Sequence, residues 1–183
     1  YENIWIQPAA GDAGGAIGAA LALWHNEFDN KRIVNVDDAM KGAFLGPSYS
    51  EIEVVKELTN LNANFTQVSR SKMIKTSAQL LSKGKAIGWF QGRMEFGPRA
   101  LGGRSILGDP RSEKTQRNLN LKVKYRESFR PFAPSILAEY VSEWFEQKSI
   151  SPYMLFVANI KESIQCQVSE DDELLFGIDR LNV

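Results

Sequence analysis

One cysteine and one histidine are all that 183 residues hold of the two side chains that dominate zinc sites. Cys166 can form no internal disulfide, and with His25 it cannot complete a Cys/His zinc site. No Ser-His-Asp or Cys-His arrangement is visible. Long apolar runs are missing as well: none is longer than Ala19 to Trp24, far below the roughly 18 residues of a spanning helix. Net charge is also absent, 22 Lys and Arg against 22 Asp and Glu, which excludes a global field recruiting nucleic acid or an anionic membrane. Any anion site must be local. Tyr1 and Glu2 stand where a signal peptide would carry Met and a basic stretch, so an excised internal fragment is expected rather than a secreted precursor, and cytoplasmic residence with it.

What is there suffices for a fold. With 43% apolar and 24% charged residues the chain is neither disordered nor collagen-like nor a coiled coil. Ile4 to Ile6 reads as a strand end, and Asp12 as the cap of a helix to about Glu27 whose stripe is Ile17, Leu21, Trp24 and Phe28. His25 falls off that stripe and is expected on the surface. Residues 29–49 read as a linker, with turn signals at Asp37-Asp38 and Gly46-Pro47. Ser50-Glu51-Ile52-Glu53 spells a capping box opening a helix to about Asn60. Further on, the pattern predicts strands at 65–68, 86–90, 132–137 and 153–160. It predicts helices at 71–82 (Met73, Leu80 and Leu81 inward), 112–121 and 139–145. Strands alternating with helices imply an α/β or α+β fold. Trp89 and Phe90 read as core, Cys166 as structural, and 170–173 as a solvated turn.

The neutrality hides a strong local imbalance. From Arg93 to Arg130 there are seven Arg and three Lys against four acids, a net of +6, leaving −6 for the rest. Gly97, Gly102, Gly103 and Gly108 share the segment, and Gly92 immediately precedes it. Glycines let backbone amides approach a ligand, and guanidinium forks match phosphate and carboxylate oxygens. A solvated loop with surface arginines is the plain alternative. Against it, Met94, Phe96 and Leu101 interleave with the arginines, giving the loop apolar anchors. The loop also comes after a strand, where ligands of open α/β sheets collect. Lys122-Val-Lys-Tyr-Arg126 alternates, and as an extended segment would present its cations on one side. Glu95 is expected to orient Arg93 or Arg99 through an ion pair, ahead of the alternative that it simply neutralises a crowded loop.

Residues 92–107 (Gly-Arg-Met-Glu-Phe-Gly-Pro-Arg-Ala-Leu-Gly-Gly-Arg-Ser-Ile-Leu) and the stretch from Asn118 to Pro134 resemble the carboxy-terminal domain of the carbamoyltransferase family that includes nodulation protein U and antibiotic O-carbamoyltransferases. Gln7-Pro-Ala-Ala-Gly-Asp-Ala-Gly14 resembles the last motif of the same family's actin-like ATPase-fold first domain. The resemblance divides the chain into the tail of the first domain (1–28), the linker (29–49) and a truncated YrdC-like domain (50–183). That fold implies a twisted mixed sheet with flanking helices and a basic concave groove.

The implied activity is ATP-dependent activation of carbamoyl phosphate to carbamoyl-adenylate and pyrophosphate. The companion domain then transfers the carbamoyl group to an acceptor hydroxyl of a sugar or natural product. By this resemblance Arg93, Arg99, Arg104 and Lys122 are catalytic, and Lys124, Arg126, Ser128, Arg130 and Ser105 bind substrate. Gly11, Gly14 and Gly15 contact nucleotide, and Asp12 is a metal ligand. The cofactors implied are ATP with Mg²⁺ and a divalent metal, iron, in the companion domain, which this fragment is not expected to hold alone. The implied partners are carbamoyl phosphate, ATP, the hydroxyl acceptor and the missing first domain, without membrane or nucleic acid. A further family motif similar to His-Val-Asp-Gly-Thr-Ala-Arg finds no match, so an incomplete site is expected. Two rivals remain: a YrdC-like RNA- or nucleotide-binding module without catalysis, for which aromatic stacking platforms are few, and a non-catalytic scaffold. All of these expectations require the two arginine stretches to converge on one pocket.

Overall fold

Local signals explain most of the helices. The computed structural model describes residue 4, residues 6–34 and 37–166, and residues 169, 172, 174 and 175. Ser50 caps α2 (Glu51–Asn60): its Oγ accepts from the Glu53 amide and the Glu53 carboxylate accepts from the Ser50 amide, the reciprocal box expected. Ser69 caps α3 (Arg70–Ser82), which starts one residue earlier than its apolar pattern suggested, and Gly84 ends it at φ +72°. Met73 and Leu80 are not inward but more than a third exposed.

Helix α1 runs over Asp12–Ala22 and continues as a π-turn, Leu23–Glu27. Its cap is Gly11, which is non-helical, whereas Asp12 is already in the first turn and makes no capping bond. The expected cap is thus displaced by one residue; a carboxylate there still faces the positive end of the helix dipole. The wider π-turn folds the chain back, so that Asn30 donates to the Trp24 carbonyl. This places His25 Nδ1 2.7 Å from the Asn30 carbonyl, half-buried rather than free on the surface. Trp24 and Phe28 meet edge-on at 6.5 Å.

The sheet pairs β1 (Ile87–Phe90) with β2 (Arg104–Leu107), and with the helices it makes the described chain α+β. Ile87 and Trp89 are half-buried while Gly88 and Phe90 are exposed, so Phe90 is not core. This is the alternation of a strand covered on one face. The other strand expectations gave no ladder among the described residues. Residues 65–68 have no strand partner. The stretch 132–137 comes after Pro131 and includes Pro134, neither of which has an N–H to donate. Of 153–160, only Ile160 forms a bridge, antiparallel to Phe145.

Helix α4 (Glu113–Leu119) continues as a π-turn, Asn120–Lys124, and α5 (Val141–Trp144) comes after a 3-10 turn. Among the described residues the buried ones with apolar side chains are Pro8, Ala43 and Leu119. Among the described residues no helix is long and apolar enough to cross a membrane. Cys166 is exposed, against its expected structural role. Of the expected solvated turn 170–173 only Asp172 lies within the described residues; its carboxylate accepts from the Ser169 hydroxyl and its amide donates to the same Oγ.

The chain forms two compact units, Tyr1–Val68 with Gly88–Ser105 and Pro152–Leu155, and Ser69–Ile87 with Ile106–Ser151 and Phe156–Val183.

Candidate anion-handling site

In the first unit, Glu95 organises the loop from Gly92 to Ser105. Its Oε1 accepts from the amides of Leu101 (2.6 Å), Gly103 (2.8 Å) and Arg104 (3.3 Å), and Oε2 pairs with Arg104 Nε at 3.3 Å. The partner is therefore Arg104 and not Arg93 or Arg99, because the Gly102-Gly103 turn folds β2 back onto the carboxylate. Burial alone would raise the Glu95 carboxyl, but the backbone donors outweigh it and hold it below the usual glutamate value. Gly103 has no room for a side chain: a Cβ there would lie 2.8 Å from the Arg93 carbonyl oxygen.

The arginines of this loop differ in what they have left to offer. Arg104 also donates through Nη2 to the carbonyls of Gly97 (2.6 Å) and Glu95 (3.3 Å). Arg93 donates through Nη1 to the Gly46 carbonyl (2.7 Å). Arg99 is exposed and has no hydrogen-bond or ion-pair partner among the described residues. Ser105 Oγ accepts from the Gly102 amide at 3.2 Å, which leaves its O–H to donate.

The loop abuts the turn that opens α1. A Cβ on Gly97 (φ +109°) would lie 2.8 Å from the Ala9 Cβ. Gly14 donates to the Ala9 carbonyl, and a Cβ there would lie 2.5 Å from that oxygen, so this glycine serves close packing. Gly11 and Gly15 have open space around them, and Asp12 is exposed. No group of three His, Cys, Asp or Glu among the described residues could hold a metal ion. One carboxylate at a helix start is too small a donor set, so no chemical step is assigned here to a metal held by this chain.

In the second unit the organiser is Asn120, fully buried and unforeseen. Its Nδ2 donates to the carbonyls of Ser128 (2.9 Å) and Arg130 (2.8 Å), and its Oδ1 accepts from Arg126 Nε at 2.6 Å. The Arg126 guanidinium also lies 4.9 Å over the Phe132 ring. Arg130 pairs with Glu127 at 2.8 Å. The alternation of Lys122, Lys124 and Arg126 is not that of an extended segment. Lys122 and Lys124 lie in the π-turn and Tyr125 is left-handed, so the two lysines project on roughly opposite sides. Lys122 lines a cavity of about 210 Å³ with Lys85, Thr115, Asn118 and Leu119. Neither lysine has a partner among the described residues.

A buried polar side chain thus shapes each half of the cationic segment, and among the described residues Arg99, Lys122 and Lys124 are left without protein partners, charge of the sign that attracts small oxyanions. The comparison with known families narrows this. Residues 78–171 match the carbamoyltransferase C-terminus family, and the chain belongs to it. The chain is 54% identical over its whole length to an uncharacterized protein, sll1178, of Synechocystis. It is 40% identical over 89% of its length to nodulation protein NolO of Bradyrhizobium diazoefficiens, and 33% over 85% to nodulation protein U of Rhizobium fredii. It spans 30%, 30% and 24% of the lengths of these relatives.

Proposed function

We propose that this chain is the carboxy-terminal part of an O-carbamoyltransferase, in which it activates carbamoyl phosphate with ATP. The observation that carries this reading is that the family match, 78–171, contains the whole +6 segment, with Arg99, Lys122 and Lys124 left without protein partners among the described residues. Water first hydrolyses carbamoyl phosphate: its oxygen bonds to the phosphorus while the bridging P–O bond breaks, and carbamate, inorganic phosphate and a proton result. A carbamate oxygen then bonds to the α-phosphorus of ATP while the bond from that phosphorus to the pyrophosphate oxygen breaks, leaving carbamoyl-adenylate and pyrophosphate. Two anions must meet and charge then builds on the leaving group, so fixed cations stabilise the transition state electrostatically.

Arg99, the remaining nitrogens of Arg93 and Arg104, and Lys122, Lys124, Arg126 and Arg130 supply that charge. Ser105 and Ser128 donate hydrogen bonds and do not attack. Mg²⁺ bound with ATP neutralises phosphate charge. The YrdC-like architecture and the division into a first-domain tail (1–28), linker (29–49) and domain (50–183) belong to the same proposal. So does transfer to an acceptor hydroxyl by the companion domain, with its iron. The reading is tested by carbamoyl phosphate-dependent exchange of labelled pyrophosphate into ATP by the full-length protein. Arg99→Ala is expected to lower exchange roughly 10²-fold or more with unchanged circular dichroism. Retained exchange overturns the role of Arg99, and no exchange in the unmodified protein overturns the activity.

A further inference from the structure

Lys41, Gly42 and Ala43 take φ of +49°, +67° and +67° in succession. Left-handed backbone is strained for a non-glycine residue, so such a turn persists only where its surroundings enforce it. Here the enforcement is visible. Asp38 accepts from the amides of Met40 (3.0 Å) and Gly42 (2.9 Å) through its carboxylate, and from Lys41 through its carbonyl (3.0 Å). The Tyr153 hydroxyl donates to the same carboxylate and accepts from Gly42 N–H at 3.1 Å.

The last residue of this turn and those just after it form the template of the arginine loop. The buried Ala43 accepts from the Phe96 amide at 2.7 Å. Gly46 donates to Met94 and Met94 donates to Pro47, both at 2.9 Å, while Arg93 reaches the Gly46 carbonyl. Gly46 permits this approach, since a Cβ there would lie 2.9 Å from the Met94 oxygen. Residues 29–49 are therefore more than a connection.

We propose that Tyr153, with Asp38, is a positioning residue that locks the left-handed turn and through it sets the placement of Arg93 and Arg99 on the substrate. The lock itself stands on geometry alone; its bearing on substrate rests on the function proposed above. The test is Tyr153→Phe in the full-length protein, which keeps the ring and removes both hydrogen bonds. Amide hydrogen exchange at Met94 and Phe96 is expected to quicken about tenfold, whereas Leu101 and Gly103, held by Glu95, stay protected. The KM for carbamoyl phosphate is expected to rise about tenfold with the KM for the hydroxyl acceptor unchanged.

Unchanged protection at Met94 and Phe96 overturns the lock, whatever the activity. Quickened exchange with both KM values unchanged overturns the positioning role. An unmodified protein without activity overturns the proposed function, while the exchange comparison still decides the lock. Should Tyr153→Phe not fold, Asp38→Asn, which removes the charged acceptor and keeps the side-chain shape, is read in the same way.

Discussion

The two halves of the cationic segment are each built around one buried polar side chain, and the two differ in chemistry. Glu95 is an acceptor only, so it collects three amides and one guanidinium edge. Asn120 both donates and accepts, so it ties two carbonyls and one guanidinium edge without any charge of its own. The carboxylate turn draws Arg104 into the architecture, with donors to Glu95 and Gly97. The carboxamide holds Arg126 by Nε alone, leaving both terminal nitrogens of that guanidinium for a ligand. A charged organiser uses up cations, whereas a neutral one arranges them.

The sharpest way to break this contrast is Glu95→Ala. It strands the amides of Leu101 and Gly103 and leaves a partly buried Arg104 without its carboxylate. Breaking a buried pair costs roughly 3–5 kcal/mol, and the lower end is expected because Arg104 is 37% exposed. Urea unfolding followed by tryptophan fluorescence measures it. Asn120→Ala is expected to cost less, about 2–3 kcal/mol, because no charge is orphaned and two carbonyls lose one donor. Asn120→Asp is the sharper probe: Arg126 keeps an acceptor, while the Ser128 and Arg130 carbonyls then face a carboxylate. If Asp were tolerated as well as Asn, the two donated bonds would not organise that half.

Neither organiser could be read from sequence, for one physical reason. The Ser50 box, α2, α3, the end of α3 at Gly84 and the strand at Ile87–Phe90 were legible because partners three or four residues apart, or a period of two, leave a local trace. Glu95 meets amides six to nine residues away across a glycine turn, so its carboxylate was visible but its partner was not. Asn120 has a carboxamide's ambivalence and no periodic signature at all. Lys122-Val-Lys-Tyr-Arg126 misled because a period of two over five residues also fits one helical turn. Of the candidate site, the residue types and their segment were legible; which cations are already engaged was not.

The charge difference between the organisers also predicts a pH contrast. The Glu95 carboxyl is lowered from its ordinary 4.5 in the folded chain. A group whose folded value is depressed contributes stability that is present above 4.5 and lost as pH falls through the folded value. Glu95→Gln is therefore expected to flatten the acid limb of stability measured from about pH 6 downward, by the order of 1 kcal/mol, whereas Asn120→Ala, which neither adds nor removes a titrating group, leaves its slope unchanged. An acid limb equally steep in Glu95→Gln would assign it to other carboxylates, among them Asp38, which its bond from Tyr153 also holds below the usual value.

The smallest expected effect comes from an ion pair that looks the strongest. Arg111 clasps Asp109 through Nε and Nη2, at distances down to 2.6 Å, and holds its carboxyl at about 2. Yet the two residues are two apart in sequence, and the Arg111 side chain is 76% exposed. The unfolded chain keeps them just as close, and water and salt screen the guanidinium, so little of the interaction distinguishes folded from unfolded. Arg111→Ala is expected to return the Asp109 titration, followed by carboxyl NMR, towards its ordinary value while the urea midpoint stays put. A midpoint shift rivalling that of Glu95→Ala would mean that proximity of charge, and not burial of the acceptor, decides what holds this segment in shape.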